Sequence, residues 1–404
     1  MLMNAGVPVA SDADMSAPEP ARPTLLCFSH LRWDFVFQRP QHVMSRFARE
    51  MKVVYWEEPF EIGERETAFL RVRRAEDFPN VRIAIPHIPR GLSEESRDEA
   101  LSRLLDTHVA TYAGELITWY YTPMMLPFSR HLDASVVVYD CMDELSKFRF
   151  APEKLLDLEQ ELLNRADLVF TGGASLYEAK KNRHDSVHCF PSSVDRDHFS
   201  KARRELPQPE DQRELKHPRL GFYGVIDERF DIDLLRQIAD MRPDWSFVMV
   251  GPVVKIGEDE LPRAANIHYL GGKTYEQLPT YLSGWDVALM PFAMNESTQF
   301  ISPTKTPEYL AGGKPVVSSP VRDVVRTYGH LQGVHIASDA DGFVRCCEKA
   351  LEQSREGGDW LAEADLLLSA TSWDTTQARM YGLIAEVLGE RAAQEASAML
   401  VAAE

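Results

Sequence analysis

Short runs of apolar residues alternate along the chain with longer segments in which apolar residues recur every three or four positions. The short runs are typical of buried strands, and the longer segments are typical of helices with one packed face. Strands and helices in alternation predict a parallel α/β sheet. In the first half of the chain we predict strands at 24–29, 53–56, 81–85, 135–139 and 168–171, and helices at 41–50 and 152–166.

The alternation starts again after a polar stretch with several prolines at about 203–218, which we interpret as a linker. Two halves with the same pattern predict two doubly wound α/β domains that face each other across a cleft. Ligands of such folds bind at the carboxyl ends of the strands. In the second half we predict strands at 219–223, 246–250, 267–270, 287–290 and 315–318, and helices at 232–241 and 305–311.

These patterns divide the chain into six segments. The first 23 residues are rich in Ala, Pro, Ser and Asp and predict a disordered leader, and the alanine-rich residues 391–404 predict a frayed helix or tail. Between them we place a first domain at 24–200, a linker at 201–218, a second domain at 219–371 and a final helix at 372–390.

The composition narrows the range of functions. Acidic residues outnumber basic ones by 62 to 44, which gives a net charge of -18 and argues against nucleic-acid binding. The five cysteines form no CxxC pair, so we expect neither a metal site nor a disulfide framework. No stretch approaches the ~20 apolar residues of a membrane-spanning helix, and the first residues lack the pattern of a secretory signal. We therefore expect a cytoplasmic protein.

The segment at 302–317 carries the strongest candidate chemistry. A Ser-Pro pair interrupts the chain, Thr304 is placed to cap a helix over Lys305–Ala311, and two glycines end it. A helix start offers free backbone N–H groups to a phosphate, and Lys305 adds a positive charge there. Glu308 follows one turn later on the same face, where its carboxylate can accept hydrogen bonds from a ribose diol. The alternative is an amphipathic helix whose Lys and Glu are solvated.

This segment resembles the donor-site motif of GT-B glycosyltransferases of family four, in which a Glu is followed by small residues, Gly, a spacer and Pro-Val-Val. The front half of the chain is similar to bacterial polysaccharide and teichuronic-acid glycosyltransferases. The resemblance spans about 24–389 and implies two Rossmann-like domains, with the final helix crossing back to the first. The other motifs that carry it are Phe-Ser-His-Leu-Arg-Trp at 28–33, Gln-Arg-Pro-Gln-His at 38–42, Ala-Asp-Leu-Val-Phe-Thr at 166–171, Phe-Pro-Ser-Ser-Val-Asp at 190–195 and Ser-Trp-Asp at 372–374.

The resemblance implies a nucleotide-sugar donor that is bound mainly by the second domain, with no separate cofactor. Lys305, at the helix start beside Thr304, would contact the diphosphate, and Glu308 would contact the ribose. In the family, the loop that begins at Gly224 supplies an Arg and a Lys to the diphosphate. Here a valine stands at the usual Arg position, which leaves Arg229 as the substitute.

The donor-sugar end departs from the family pattern. A second Glu usually stands eight residues before the ribose-binding one, and here that position is Phe300. In place of that Glu, we expect Asn295, Thr298 and Gln299, or backbone N–H groups, to contact the sugar. The departure leaves open whether the anomeric configuration is retained or inverted.

Two regions of the first domain are candidates for the acceptor side. Asp140 ends a predicted buried strand, where a carboxylate can deprotonate an acceptor hydroxyl within ~3 Å, and Asp143 follows as a sugar-binding residue. The alternative is that both carboxylates cap the following turn. In the loop after the first strand, Trp33 is suited to stack on a sugar and Arg39 to bind a charged group.

The expected function is transfer of a sugar from a UDP- or GDP-linked donor to a hydroxyl of a saccharide or lipid-linked acceptor in cell-surface polysaccharide synthesis. Lys305, Arg229 and Asp140 would form the catalytic set, and the two cations would stabilise the departing diphosphate without a metal. The basic cluster at 71–74 is either a solvated face or a contact with anionic lipids of the inner membrane surface.

Two other functions are compatible with the motifs. A nucleotide-sugar epimerase of the same fold would turn over the donor without an acceptor. A catalytically degenerate relative would bind a nucleotide sugar without transferring it, and the missing family Glu and Arg favour that alternative.

Overall fold

The computed structural model describes residues 22–402, with side chains described to residue 394. Two α/β domains are present, each built on one sheet, and the expectation of two doubly wound domains facing across a cleft is confirmed. All of the predicted leader except its last two residues, and the last two residues of the predicted tail, lie outside the described residues. None of the described helices is long and apolar enough to cross a membrane.

A nine-stranded sheet forms the centre of the first domain. Its strands are β1 (Thr24–Ser29), β2 (Lys52–Glu57), β3 (Phe60–Ile62), β4 (Phe69–Arg74), β5 (Val81–Pro89), β6 (Leu116–Tyr120), β7 (Val136–Cys141), β8 (Leu168–Thr171) and β9 (Val187–Cys189). The strand order is β3-β5-β2-β1-β6-β7-β8-β9, and β4 runs antiparallel along β5. The helices are α1 (Arg39–Phe47), α2 (Glu94–Val109), α3 (Leu126–Ser129), α4 (Leu155–Arg165), α5 (Ala174–Lys180) and α6 (Arg196–Phe199).

Helices cover both faces of this sheet. Successive residues of a strand point to opposite sides, so the apolar residues of the central strands pack into two cores. In β1, Leu25 and Cys27 join a core that includes α1, whereas Leu26 and Phe28 join a second core that includes α2. Since the helices pack on the faces of the sheet, its carboxyl edge stays uncovered. The loops that follow β1 and β7 line the cleft there.

A six-stranded parallel sheet forms the centre of the second domain. Its strands are β10 (Arg219–Tyr223), β11 (Ser246–Val250), β12 (Ile267–Gly271), β13 (Val287–Met290), β14 (Val316–Ser318) and β15 (Val334–Ile336). They are ordered β12-β11-β10-β13-β14-β15. The helices, including one in the predicted linker, are α7 (Glu210–Arg213), α8 (Ile232–Met241), α9 (Leu278–Ser283), α10 (Lys305–Ala311), α11 (Arg322–Tyr328), α12 (Ala340–Glu356) and α13 (Trp360–Ser369).

The last helix, α14 (Trp373–Ala402), returns from the second domain to the first. The Trp373 indole stacks on the His42 ring of α1 at a centroid distance of 4.6 Å. About three turns further along, Ile384 enters the core of the first domain. The helix continues past residue 390, where the sequence analysis ended it, so the segment expected to be a frayed helix or a tail is helical over its described residues.

The predicted elements agree best with the structure where an apolar run is short and bounded by turns. The strands at 24–29, 168–171, 219–223, 246–250 and 287–290 and the helices at 232–241 and 305–311 have the predicted bounds. Helix α1 begins two residues earlier than predicted, at Arg39, because Pro40 suits its first turn and the Gln41 side chain accepts a hydrogen bond from the Gln38 N–H. Strand β6 was not predicted, although its five residues are all buried.

Candidate functional site

Two adjoining cavities lie in the cleft where the carboxyl ends of the two sheets meet. The larger has a volume of about 600 Å³ and the smaller one of about 100 Å³. Arg229, Thr304 and Lys305 line both of them. The larger cavity also contacts loops 33–38 and 76–78 of the first domain and 272–278 of the second, and the smaller one contacts Asp143, Gly172 and Ser302.

Lys305 opens helix α10 and directs an uncompensated positive charge toward both cavities. Its Nζ makes no hydrogen bond or ion pair with another described residue, and its neighbours are the rings of Phe222 and Phe292, with centroids at 5.7 and 5.9 Å. Burial, with a smaller contribution from the Arg229 guanidinium, lowers the pKa of the Lys305 ammonium to about 8. A cation held without a partner in a cavity wall is suited to bind an anion.

Gly224, at the end of β10, allows Lys305 to take this position. Its φ of +137° is unfavourable for residues with a side chain. A Cβ at this residue would lie 2.2 Å from Cε of Lys305 and 2.8 Å from its Nζ. The glycine that the sequence analysis assigned to the diphosphate loop therefore lies directly against the lysine.

Glu308 lies one turn beyond Lys305 and lines the larger cavity. Its side chain is buried, with an exposed fraction of 6% for the residue, and Oε2 accepts a hydrogen bond of 2.9 Å from the Tyr223 hydroxyl. Burial raises the pKa of the Glu308 carboxyl to about 7, against the opposing effects of Lys305 and of hydrogen bonds from Tyr223 and Thr304. Thr304 does not cap α10 as predicted, because its backbone is already helical and its side chain makes no capping hydrogen bond.

Arg229 supplies a second cation to both cavities. The carboxylate of Asp227 fixes its guanidinium through bonds of 2.9 Å to Nε and 2.6 Å to Nη2. Nη1 makes no hydrogen bond with any other described residue, and the ring of Phe148 from the first domain lies 5.4 Å from the guanidinium carbon. The ion pair orients the guanidinium while leaving one edge of it available.

Asp143 is the first-domain carboxylate that faces these cations across the smaller cavity. Its side chain is half-buried and forms no hydrogen bond with the described part of the chain. Burial raises the pKa of the Asp143 carboxyl, and the charge of Asp227 adds to that effect, whereas Arg229 opposes it. An accessible carboxylate with a raised pKa is suited to exchange a proton or to bind a hydroxyl.

Asp140 lines neither cavity and Arg39 borders the smaller one, but the two side chains bind each other, so their predicted roles are wrong. They form a buried ion pair, in which Nε and Nη2 of Arg39 donate to the two carboxylate oxygens at 3.1 and 2.8 Å. The third donor group of Arg39 reaches the carbonyl of Phe190 at 2.7 Å. Asp140 has no exposed surface, so a substrate hydroxyl cannot approach its oxygens. The pair instead fixes the end of β7 to the start of α1.

Three of the other predicted substrate-binding residues are occupied within the fold, and the fourth lies away from both cavities. Trp33 borders the larger cavity, but its ring packs edge-to-face on Tyr55 at 5.0 Å and is only 7% exposed. Asn295 caps a 3-10 turn by accepting from the N–H groups of the two residues at 297–298. The Thr298 hydroxyl donates to the carbonyl of residue 293 at 2.6 Å. Gln299 is exposed on the surface and lines neither cavity.

Three residues that support the site were not predicted. Tyr223 orients Glu308, Asp227 orients Arg229, and Phe148 covers the Arg229 guanidinium from the opposite domain. Tyr223 and Asp227 lie at and just after the carboxyl end of β10, a position that predicts site residues in parallel sheets. Phe148 lies on a loop without a strand or helix pattern, and its position depends on how the two domains meet.

The geometry defines the class of protein. The chain has the GT-B fold, with two doubly wound domains facing a cleft and with Lys305 and the buried Glu308 on one helix of the second domain. Among the described residues, no group of three or more His, Cys, Asp or Glu side chains is arranged to hold a metal ion.

The comparisons with known proteins agree with this class. The family model described as "Glycosyl transferases group 1" matches residues 217–353, which include the site residues Gly224, Arg229, Lys305 and Glu308. The chain is 28% identical over 279 residues to a protein assigned as the teichuronic acid biosynthesis glycosyltransferase TuaH of Bacillus subtilis (strain 168), covering 63% of this chain and 68% of that protein. Residues 217–353 are thus similar to the domain that this family model describes.

Solved structures resemble the whole fold at low sequence identity. A sucrose-phosphate synthase from Thermosynechococcus elongatus is 15% identical, with a TM-score of 0.65 over 91% of this chain and 100% of that one. The Anabaena protein HepE, solved in complex with UDP, is 13% identical, with a TM-score of 0.63 over 90% of this chain and 100% of that one. These similarities extend the GT-B assignment over both domains.

Proposed function

We propose that the protein transfers a sugar from a UDP- or GDP-linked donor to a hydroxyl of a saccharide or lipid-linked acceptor during synthesis of a cell-surface polysaccharide. The observation that carries the proposal is the unpaired Lys305 ammonium beside Glu308 in the wall of the larger cavity. The similarity to TuaH supports the polysaccharide, and the UDP bound to HepE supports a nucleotide donor.

In this proposal, the second domain binds the nucleotide. The Glu308 carboxylate accepts hydrogen bonds from the ribose diol, and its raised pKa brings its ionisation near neutral pH. Lys305 and the free edge of Arg229 bind the diphosphate. As the bond between the sugar and the phosphate breaks, negative charge develops on the leaving diphosphate, and the two preorganised cations stabilise it. The side chains supply this charge, so the proposed transfer does not require a metal.

Asp143 takes the place that the sequence analysis gave to Asp140. It lies across the smaller cavity from Arg229 and Lys305, where the donor sugar would meet the acceptor. Its carboxylate accepts a hydrogen bond from the sugar or removes the proton of the attacking hydroxyl. Asp143→Asn should lower the rate of transfer while leaving nucleotide affinity within twofold, since the nucleotide contacts lie in the other domain.

The experiment that tests the proposal is thermal unfolding with UDP, GDP, ADP or TDP, each with EDTA and then with magnesium. A nucleotide at 100 times its Kd stabilises the native state by about 2.7 kcal/mol, which gives a readable shift in Tm. We expect a shift with UDP or GDP that EDTA does not remove, followed by transfer from the matching nucleotide sugar. No shift with any nucleotide would refute the proposal. Binding without transfer or hydrolysis would identify a non-catalytic nucleotide-sugar-binding protein.

We also propose that strand β4 contacts the membrane that holds a lipid-linked acceptor. It is an edge strand on which Phe69 and Val72 are 47% and 40% exposed, beside Arg71 and Arg74. Exposed apolar residues next to arginines are suited to anionic lipid headgroups. Co-sedimentation with vesicles containing an anionic lipid should fall severalfold in the Arg71→Glu/Arg74→Glu double variant. Equal sedimentation of both proteins would rule out this surface.

A further inference from the structure

A buried carboxylate of the second domain bonds to the first domain beside the smaller cavity. Asp323, in the first turn of α11, is only 4% exposed. Its Oδ1 accepts from the backbone N–H of Ser175 at 3.1 Å and from the Ser175 hydroxyl at 2.5 Å, and Oδ2 lies 3.4 Å from the same nitrogen. A single aspartate therefore accepts from both hydrogen-bond donors of Ser175 at the start of α5.

Two further contacts across the domains surround this one. The Ser192 hydroxyl of the first domain donates to the carbonyl of Ser302, three residues before Lys305. Outside it, the Glu178 carboxylate pairs with Arg326 at 2.7 Å and with Arg322 at 3.3 Å. The outer pairs are solvent-exposed and contribute little, whereas the Asp323 contact is shielded from water.

The turn at Gly172 and Gly173 connects these contacts to the site. A Cβ at Gly173 would lie 2.3 Å from Oδ2 of Asp323 and 2.7 Å from Cβ of Ser302. A Cβ at Gly172 would lie 2.6 Å from the carbonyl oxygen of Met142, the residue before Asp143. The turn is thus packed between the loop that carries Asp143 and the segment that leads into α10.

We propose that Asp323 is a positioning residue that holds the cleft closed, so that Asp143 of the first domain faces Lys305 and Arg229 of the second. This inference rests on the proposed function in assigning the reaction to that junction. The nucleotide contacts of Lys305, Glu308 and Arg229 are all made by the second domain. Asp323 therefore acts on the transfer step and leaves nucleotide binding unaffected.

The test compares Asp323→Ala, Asp323→Asn and the control Arg326→Ala in three measurements. These are the radius of gyration by small-angle X-ray scattering, the Kd for UDP or GDP, and kcat for transfer. For Asp323→Ala we expect a larger radius of gyration, a kcat at least tenfold lower and a Kd within twofold of the original. Asp323→Asn keeps an acceptor oxygen for Ser175 and should recover most of kcat. Arg326→Ala removes an exposed ion pair and should change none of the three.

Gly173→Ala is the second variant, in case Asp323→Ala does not fold. It lies in the first domain, away from the nucleotide contacts, and should open the cleft because its Cβ displaces Asp323 and Ser302. Unchanged compactness and kcat in folded Asp323→Ala or Gly173→Ala would overturn the proposal, as would a parallel loss of nucleotide affinity. Scattering does not depend on transfer. If the variants open the cleft but the original protein transfers no sugar, the role of Asp323 in holding the cleft closed stands, and only the proposed function is refuted.

Discussion

Lys305 and Glu308 lie on one short helix, and burial shifts the pKa of each toward neutrality, to about 8 and about 7. Neither charge is fully compensated in the fold. Uncompensated buried charges destabilise a folded chain, so a site of this kind gains ligand affinity at a cost in stability. Two predictions at the scale of single residues follow from this relation.

Lys305→Ala should reduce affinity for UDP or GDP at least tenfold. A charge-assisted hydrogen bond contributes about 1.5–3 kcal/mol, and 1.4 kcal/mol corresponds to a factor of ten. The free energy of unfolding should not fall, because Nζ has no hydrogen-bond or ion-pair partner among the described residues. Isothermal titration calorimetry measures the affinity, and Lys349→Ala on the exposed side of α12 is the matched control. An unchanged Kd in Lys305→Ala would remove this lysine from the site.

Glu308→Gln should change how stability depends on pH. The folded-state pKa of Glu308 is about 7 against an ordinary value of 4.5, so its ionisation costs stability as pH rises through this interval. Gln does not ionise and still offers an oxygen to Tyr223. The variant should gain stability relative to the original protein between pH 4.5 and pH 7, by on the order of 3 kcal/mol in total. Urea unfolding at pH 5 and at pH 7.5 tests this, and an identical difference at both pH values would contradict it.

At the scale of elements, the site depends on where strand β10 ends and where the short helix α10 begins. Helix α10 presents Lys305 and Glu308, and the end of β10 presents Gly224 and Tyr223 to the same cavity. The carbonyl end of α10 is held by Arg203, whose Nε donates to the carbonyl of Ala311 at 2.7 Å. The helix is thus fixed by a residue that precedes the second domain's first strand.

Gly224→Ala should disrupt this arrangement. The added Cβ would overlap Cε of Lys305, and φ of +137° is strained for alanine, at a cost of about 1–3 kcal/mol. We expect nucleotide affinity to fall about as far as in Lys305→Ala, together with a loss of stability. Gly382→Ala in α14, where nothing lies within 4 Å of the new Cβ, is the control and should be neutral or stabilising. An unchanged nucleotide affinity in Gly224→Ala would show that Lys305 can shift its position without weakening nucleotide binding.

The sequence predicted those parts of the site that local pattern determines. Lys305, Glu308 and Gly224 follow from a helix start and a strand end, and they line the larger cavity as expected. Asp140 and Asp143 are three residues apart, within and just after the end of strand β7, and which of them faces the cleft depends on the pairing of Asp140 with Arg39. That partner is 101 residues away in the chain, and local pattern carries no information about it.

At the scale of the whole molecule, two of the contacts between the domains bury side chains away from the cleft cations. One is the buried contact of Asp323 with Ser175, and the other is α14, which leaves the second domain and packs on α1. Acidic residues outnumber basic ones by 62 to 44, so the cations of the cleft lie in a molecule with a net charge of -18. Their attraction for a diphosphate is therefore local, since screening at physiological salt confines it to about 8 Å.

Trp373→Ala tests whether α14 contributes to the stability of the first domain, although it follows the second domain in sequence. The indole is 1% exposed, stacks on His42 and joins the first domain's core, so its removal should destabilise that domain by about 3–5 kcal/mol. Hydrogen exchange should accelerate in α1 and in the strands of the first sheet, while β10 and β11 keep their protection. Tyr381→Ala, on a side of the same helix where the residue is 37% exposed, is the control and should have a much smaller effect. Loss of protection in β10 and β11 to the same extent as in α1 would mean that the two domains unfold as one unit and that α14 stabilises both.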